Sequence, residues 1–225
     1  MKKNDFTSFT LQCPWIFNPK SRFIFSNENN LSLGIFEYEN PKLFELLRKA
    51  RLLNFQVDDQ HYRLYSWDTK AGESCGWLTK MELIRKEDFP LSKTHKIIAE
   101  ELGGITFTYN SDDNFLTNNQ SLFSPSICQQ GIGDAWSAFY LQRCKEDNGS
   151  PLEHDAWIVF GKEASGHYAL YDQQDKVYMF NTDPGESYLE DIDGQPSATF
   201  FGIKNAHTLK EYVELLAQQW LDWVR

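Results

Sequence analysis

The chain has 225 residues, of which 41% are hydrophobic and 15% are aromatic, and it carries a net charge of −10. This apolar content excludes a disordered chain and suffices for one sizeable core. The negative charge opposes binding to phosphate backbones, and no run of lysine and arginine exceeds two residues. Nucleic acid is therefore not an expected partner.

The cysteines and the apolar segments restrict the class of protein further. Cys13, Cys75, Cys128 and Cys144 have no CxxC spacing, so they predict neither a zinc site nor a redox pair. No segment approaches the length of about eighteen apolar residues that a membrane span needs, and the N-terminal residues lack the apolar run of a signal peptide. We therefore expect no membrane span and a location in the reducing cytoplasm.

Residues 1–34 form an N-terminal extension that we place in the same domain as the rest of the chain. Its two aromatic triplets, Trp15–Phe17 and Phe23–Phe25, are separated by an Asn-Pro-Lys-Ser segment that is typical of a turn. This spacing predicts a hairpin or two short edge strands.

The next elements are a helix and a hairpin. Asn40 followed by Pro41 predicts a capped helix, and its apolar stripe consists of Leu43, Phe44, Leu47, Ala50 and Leu53. Residues 62–67 and 76–78 then flank a turn at residues 68–72, which predicts a hairpin.

Residues 95–109 combine a helix, a glycine stop and a strand. Gly103, or Gly104 if the helix is one residue longer, is predicted to end the helix in a left-handed conformation. The strand Ile105–Tyr109 follows with an alternation of period two.

Two more helices are predicted further along the chain. Ala135–Cys144 has aromatic residues at helical spacing, with Asp134 as the expected cap. Thr208 and Glu211 form a capping-box pattern ahead of the last helix. Residues 111–126 lack any period and predict a loop.

Residues 157–183 predict a three-stranded meander. Its strands are Trp157–Phe160, His167–Tyr171 and Val177–Phe180, broken at Ser165-Gly166 and at a polar turn. Strands joined by short turns pair antiparallel. The predicted fold class is α+β, with a single domain, a central, mainly antiparallel sheet and helices packed around it.

Several of these segments together resemble the SUKH superfamily, which includes the SMI1/KNR4-like domains. The matching pieces are Thr94-His95 with residues 102–105, Ile158–Gly161, residues 166–172 and residues 176–183. On this basis we assign residues 35–225 to a SMI1/KNR4-like domain. The chain departs from the family pattern in one turn, where Gln174-Asp175 replaces the usual glycine.

The resemblance implies a non-catalytic protein that binds other proteins. Bacterial members of the superfamily are implied to be immunity proteins that neutralise cognate toxins of polymorphic or contact-dependent systems. Similar fungal domains are implied to be regulatory scaffolds that bind an endogenous protein. An acidic chain suits a basic toxin domain as partner. Toxin neutralisation is therefore the favoured hypothesis, a regulatory scaffold the alternative, and a small hydrolase the least favoured.

The titratable residues form no catalytic or metal-binding pattern in the sequence, so we expect no enzyme activity, no cofactor and no metal. Glu153-His154-Asp155 is the densest titratable triplet, and we interpret it as a solvated turn. His167 is interpreted as a half-buried or surface strand histidine, and His95 as a neutral histidine with a local hydrogen bond. A hydrolase would need His154 or His167 close to a carboxylate.

A partner-binding surface is expected on the meander, because one sheet face packs against the helices and the other face or edge is expected to stay open. The candidate contact residues are Glu163, Tyr168, Asp172, Tyr178 and Asp183.

Overall fold

The described residues form one antiparallel sheet of eleven strands. The computed structural model describes residues 3–26, 33–83, 90–117, 120–163, 166–183 and 185–225. The strands are β1 (Phe23–Ser26), β2 (Arg51–Val57), β3 (Gln60–Asp68), β4 (Ser74–Lys80), β5 (Gly104–Tyr109), β6 (Gln120–Leu122), β7 (Ile158–Glu163), β8 (Tyr168–Tyr171), β9 (Val177–Phe180), β10 (Leu189–Asp191) and β11 (Phe200–Ile203). They lie in chain order except that β11 is inserted between β9 and β10.

Within the described residues, six α-helices pack against this sheet. They are α1 (Lys3–Gln12), α2 (Gly34–Glu39), α3 (Pro41–Lys49), α4 (Lys93–Glu101), α5 (Asp134–Glu146) and α6 (Leu209–Trp223), and a 3₁₀ turn spans Pro125–Ile127. Every named pair of strands is antiparallel. The predicted α+β class with a central antiparallel sheet is therefore confirmed. No helix in the described part of the chain is long and apolar enough to cross a membrane.

The helices lie on both faces of the sheet. The main core is formed with α2, α3, α4 and α6, and it contains Trp67, Trp77, Phe160 and Trp220. Successive side chains along a strand point to opposite faces of the sheet, so the strand residues between those of the main core point to the second face. Two smaller cores form on that face. One lies under α1 and includes Phe9, Phe55 and Leu64, and the other lies under α5 and includes Tyr140, Tyr168 and Phe180.

Several local predictions are confirmed. Gly103 has a φ of +85°, so it ends α4 in the left-handed region. Thr208 accepts a hydrogen bond from the Glu211 backbone N–H, and the Glu211 side chain accepts one from the Thr208 backbone, which completes the predicted capping box. The strand predicted at Val177–Phe180 has the same bounds in the structure. Of the predicted Ser165-Gly166 break, Gly166 has a φ of +90°, and Ser165 lies outside the described residues.

The prediction of an N-terminal hairpin is wrong. Phe6 and Phe9 lie on α1, Cys13 directly follows that helix, and all three pack in the cluster under it. Of the two aromatic triplets only the second forms a strand, and β1 pairs with β2 at the edge of the sheet. Phe23–Ser26, within the predicted N-terminal extension, therefore belongs to the same sheet as the strands of the 35–225 segment.

The prediction for the first long helix is too long. α3 ends at Lys49, because Ala50 adopts an extended backbone with φ −69° and ψ 141°. Leu53 then lies in β2, where buried and partly exposed positions alternate. Asn40 precedes the helix as predicted, but its side chain makes no capping hydrogen bond.

Candidate functional site

An acidic cleft lies between α5, residues 151–157 and the turn that joins β8 to β9. Its volume is about 1180 Å³. Among the described residues that line it, none is a lysine or an arginine, and four are carboxylates: Asp134, Glu153, Asp155 and Asp172. Each wall of the cleft carries at least one of them. The result is a concave surface of one charge sign, which concentrates a negative potential.

Tyr140 holds the wall formed by residues 151–157 against α5. Its side chain is fully buried. The hydroxyl donates a hydrogen bond of 2.5 Å to Gln195 Oε1 and accepts one of 2.7 Å from the Leu152 backbone N–H. Gln195 in turn donates to the Ser150 carbonyl at 2.9 Å. These hydrogen bonds fix the position of the loop at residues 151–157. They therefore also restrict where the carboxylates of Glu153 and Asp155 can lie.

Asp172 shapes the third wall. Its Oδ1 accepts hydrogen bonds from the backbone N–H groups of Gln174 at 2.8 Å and Lys176 at 2.9 Å. Its Oδ2 accepts one from the Tyr178 hydroxyl at 3.3 Å. Asp175, in the same turn, adopts the left-handed conformation with φ +62°, which glycine adopts with the least strain and Asp tolerates. Asp172 therefore holds the turn in addition to lining the cleft.

Trp157 and His154 also line the cleft. Trp157 stacks on Tyr178 with ring centroids 4.0 Å apart. His154 is buried, and its Nδ1 has no hydrogen-bond partner among the described residues, although it lies 3.5 Å from Asp155 Oδ1. Burial lowers the pKa of His154, and the Asp155 carboxylate opposes that shift only in part. His154 is therefore neutral and does not offset the negative charge of the cleft carboxylates.

An apolar side chain of α5 lines the cleft together with Asp134. This residue, Leu141, is 44% exposed. Apolar groups next to a charged concavity are the arrangement in which a protein partner finds both contact area and orientation.

The sequence-predicted contact residues separate into two groups. Asp172 lines the acidic cleft. Tyr168 and Tyr178 are buried in the core under α5. The expectation that one sheet face of the meander stays open is therefore wrong. The face that α2, α3, α4 and α6 do not cover is covered by α5. The sequence predicted the helix α5 but not which side of the sheet it covers. The predicted cap is wrong, because Gly133 is the N-cap and Asp134 is the first residue of the helix.

Glu163 and Asp183 lie at the opposite end of β8 from the cleft. Asp183 is exposed, and its backbone N–H donates to Asn181 Oδ1 at 2.7 Å. Glu163 Oε2 lies 3.2 Å from His167 Nδ1. Glu163, His167 and Glu186 together form a group of three potential metal ligands. No sequence signal pointed to Glu186, because the third member comes from beyond β9.

His95 is neutral, as predicted, but its partner is not local. Burial lowers the pKa of His95 to about 4. Its Nδ1 lies 3.2 Å from the hydroxyl of Tyr171 on β8. Cys128 Sγ lies 3.8 Å from Nε2, and burial raises the pKa of that thiol to about 12. The pair is therefore a neutral part of the core without nucleophilic character.

A second groove, of about 830 Å³, is lined by residues of β1, β2, β3 and α4 and by residues 81–83. Arg63 and His61 line it together with Glu82 and Glu100. Its charges are mixed, so it selects less strongly for a partner of one sign than the acidic cleft does.

Comparisons with protein-family models, curated proteins and solved structures found no match to this chain.

Proposed function

We propose that this chain is a non-catalytic binding domain that neutralises a cognate bacterial toxin by holding a basic segment of the toxin in the acidic cleft. The observation that carries the proposal is the set of four carboxylates around one concavity, with no lysine or arginine among its described lining residues. The SUKH resemblance of residues 35–225 adds the toxin as the class of partner.

The cleft would act in two stages. The carboxylates attract a positively charged surface over distances of about a Debye length, roughly 8 Å at physiological salt, which raises the association rate. On contact, Leu141 and the apolar part of the cleft exclude water around the ion pairs. Asp155, whose side chain is 97% exposed, would contribute mainly to the encounter, because a fully solvated charge adds little to the affinity of the final complex.

The test uses the double charge reversal Glu153→Lys with Asp155→Lys. Both side chains are exposed, whereas Asp172 is unsuitable because its reversal would also disturb the β8–β9 turn. The matched control is Glu37→Lys with Asp59→Lys, which changes two exposed carboxylates outside the cleft lining by the same charge. The binding partner is the purified toxin domain, whose gene we expect immediately upstream of this chain's gene.

The cleft variant is expected to associate about 10–100 times more slowly than the unchanged protein at low salt, with a weaker salt dependence, because electrostatic steering is lost. The control should stay within a few-fold. Cells that express the toxin should lose protection with the cleft variant alone. Equal association rates for the cleft variant and the control would refute the role of the cleft. Binding to a non-toxic endogenous protein, without protection, would instead favour the regulatory scaffold.

A further inference from the structure

Three potential metal ligands meet at the end of β8 that points away from the acidic cleft. Glu163 ends β7, His167 immediately precedes β8, and Glu186 lies between β9 and β10. One donor atom of each lies within 4.8 Å of the other two. The shortest described separation, from His167 Nδ1 to Glu163 Oε2, is 3.2 Å. Two ligands bound to one tetrahedral Zn²⁺ lie about 3.3 Å apart, so this separation suits a shared ion.

Neighbouring groups already hold two of the three ligands in place. Asn181 is fully buried, and its Nδ2 donates to Glu186 Oε2 at 2.7 Å. The other nitrogen of His167, Nε2, lies 3.2 Å from Thr182 Oγ1. A metal-bound histidine commonly donates its second N–H to an oxygen, which fixes the ring and its tautomer. Thr182 offers such an acceptor while Nδ1 faces the carboxylates.

The charge at the cluster favours a cation. The carboxylates of Glu163 and Glu186 belong to one group whose donor atoms lie within 4.8 Å of one another. Within the described part of the chain, no lysine or arginine forms an ion pair with Glu186. A divalent ion would relieve the repulsion between the two carboxylates.

We propose that Glu163, His167 and Glu186 bind one divalent transition-metal ion, with Zn²⁺ as the ion that the donor set fits best. One imidazole and two carboxylates match the nitrogen and oxygen ligands of zinc, whereas calcium and magnesium take oxygen ligands. His167 binds through Nδ1 and donates its Nε2 proton to Thr182. Three protein ligands leave a fourth position for water. The ion joins the end of the β7–β8 hairpin to the segment that follows β9.

The experiment titrates the reduced protein with Zn²⁺ by isothermal titration calorimetry. The ligand variants are Glu163→Gln and Glu186→Gln, which keep the side-chain shape and remove the charge. Glu37→Gln is the matched control, because it makes the same chemical change at an exposed position on α2. Near-UV circular dichroism of each variant verifies that the core remains packed.

We expect one Zn²⁺ per chain in the unchanged protein and in the control, and a loss of affinity of at least tenfold in each ligand variant. Thr182→Val should weaken binding about 10–100-fold, as is usual for a group that orients a ligand. The proposal is overturned if the unchanged protein binds no Zn²⁺ at millimolar concentration, or if Glu186→Gln binds as tightly as the control.

Cobalt provides an independent check of which atoms bind. Co²⁺ bound by nitrogen and oxygen gives only weak visible absorption, whereas a thiolate ligand adds a strong charge-transfer band. That band would place the ion at a cysteine such as Cys128, next to His95, and would overturn the assignment. Because the cluster and the acidic cleft lie at opposite ends of β8, failure of this site leaves the proposed toxin-binding function untouched.

Discussion

Trp220 is the residue whose truncation should destabilise the protein most clearly. It is fully buried in α6. Its ring centroid lies 5.3 Å from that of Trp77, 5.5 Å from that of Trp67 and 5.6 Å from that of Phe115. Its Nε1 also donates a 2.9 Å hydrogen bond to Thr117 Oγ1. The side chain thus joins α6 to β3, to β4 and to the loop after β5.

The expected cost follows from these contacts. Replacing a buried tryptophan with alanine costs about 3–5 kcal/mol through lost burial and the cavity that remains. Thr117 is itself fully buried, and leaving its hydroxyl without this partner costs about 1–3 kcal/mol more when no water replaces it. Because such terms are not additive, we expect Trp220→Ala to lower the free energy of unfolding by about 4–6 kcal/mol. Trp220→Phe keeps a ring and should cost about 1–3 kcal/mol.

Urea unfolding followed by far-UV circular dichroism measures both values, and an unchanged m-value would show that the two states remain comparable. Trp15→Ala is the control, because Trp15 is 67% exposed and its truncation should cost less than about 1 kcal/mol. A loss below about 2 kcal/mol for Trp220→Ala would refute the packing described here.

Two further predictions concern a glycine and a histidine. A Cβ on Gly103 would come within 2.7 Å of Met81 Sδ, whereas a Cβ on Gly194, which also has positive φ, meets nothing within 4 Å. Gly103→Ala should therefore lower the free energy of unfolding by about 1–3 kcal/mol more than Gly194→Ala, as measured by urea unfolding. Equal losses for the two variants would contradict the crowding at Gly103. His95 has a pKa of about 4 in the fold against 6.5 when exposed, so the unfolded chain binds more protons in this range and stability should fall as pH drops from 6.5 to about 4. The slope of unfolding free energy against pH should be shallower in His95→Gln, and an unchanged slope would contradict the assignment.

The sequence by itself determined those elements whose signals act within a few residues. The backbone preference of Gly103 ends α4, and the reciprocal hydrogen bonds of Thr208 and Glu211 begin α6. The polar turn ahead of Val177–Phe180 predicted β9 with its observed bounds. The α+β class followed as well, because short turns between strands enforce antiparallel pairing whatever the rest of the chain does.

Where local signals are ambiguous, the tertiary structure decided. The apolar stripe from Ala50 to Leu53 has helical spacing in the sequence, yet Leu53 belongs to β2. Pairing of β2 with β1 and β3 provides hydrogen-bond partners for the backbone N–H and C=O groups of β2. The short strands β6, β10 and β11 carry few residues each and exist through their neighbours in the sheet.

Both candidate sites depend on long-range packing. Asp134, Glu153 and Asp172 belong to three separate segments, and only the burial of Tyr140, with its hydrogen bonds to Leu152 and Gln195, brings the first two segments together. In the sequence each carboxylate is indistinguishable from an ordinary solvated charge. A shared electrostatic potential arises from distances in space, and the sequence pattern carries no information about those distances until the sheet and α5 are in place.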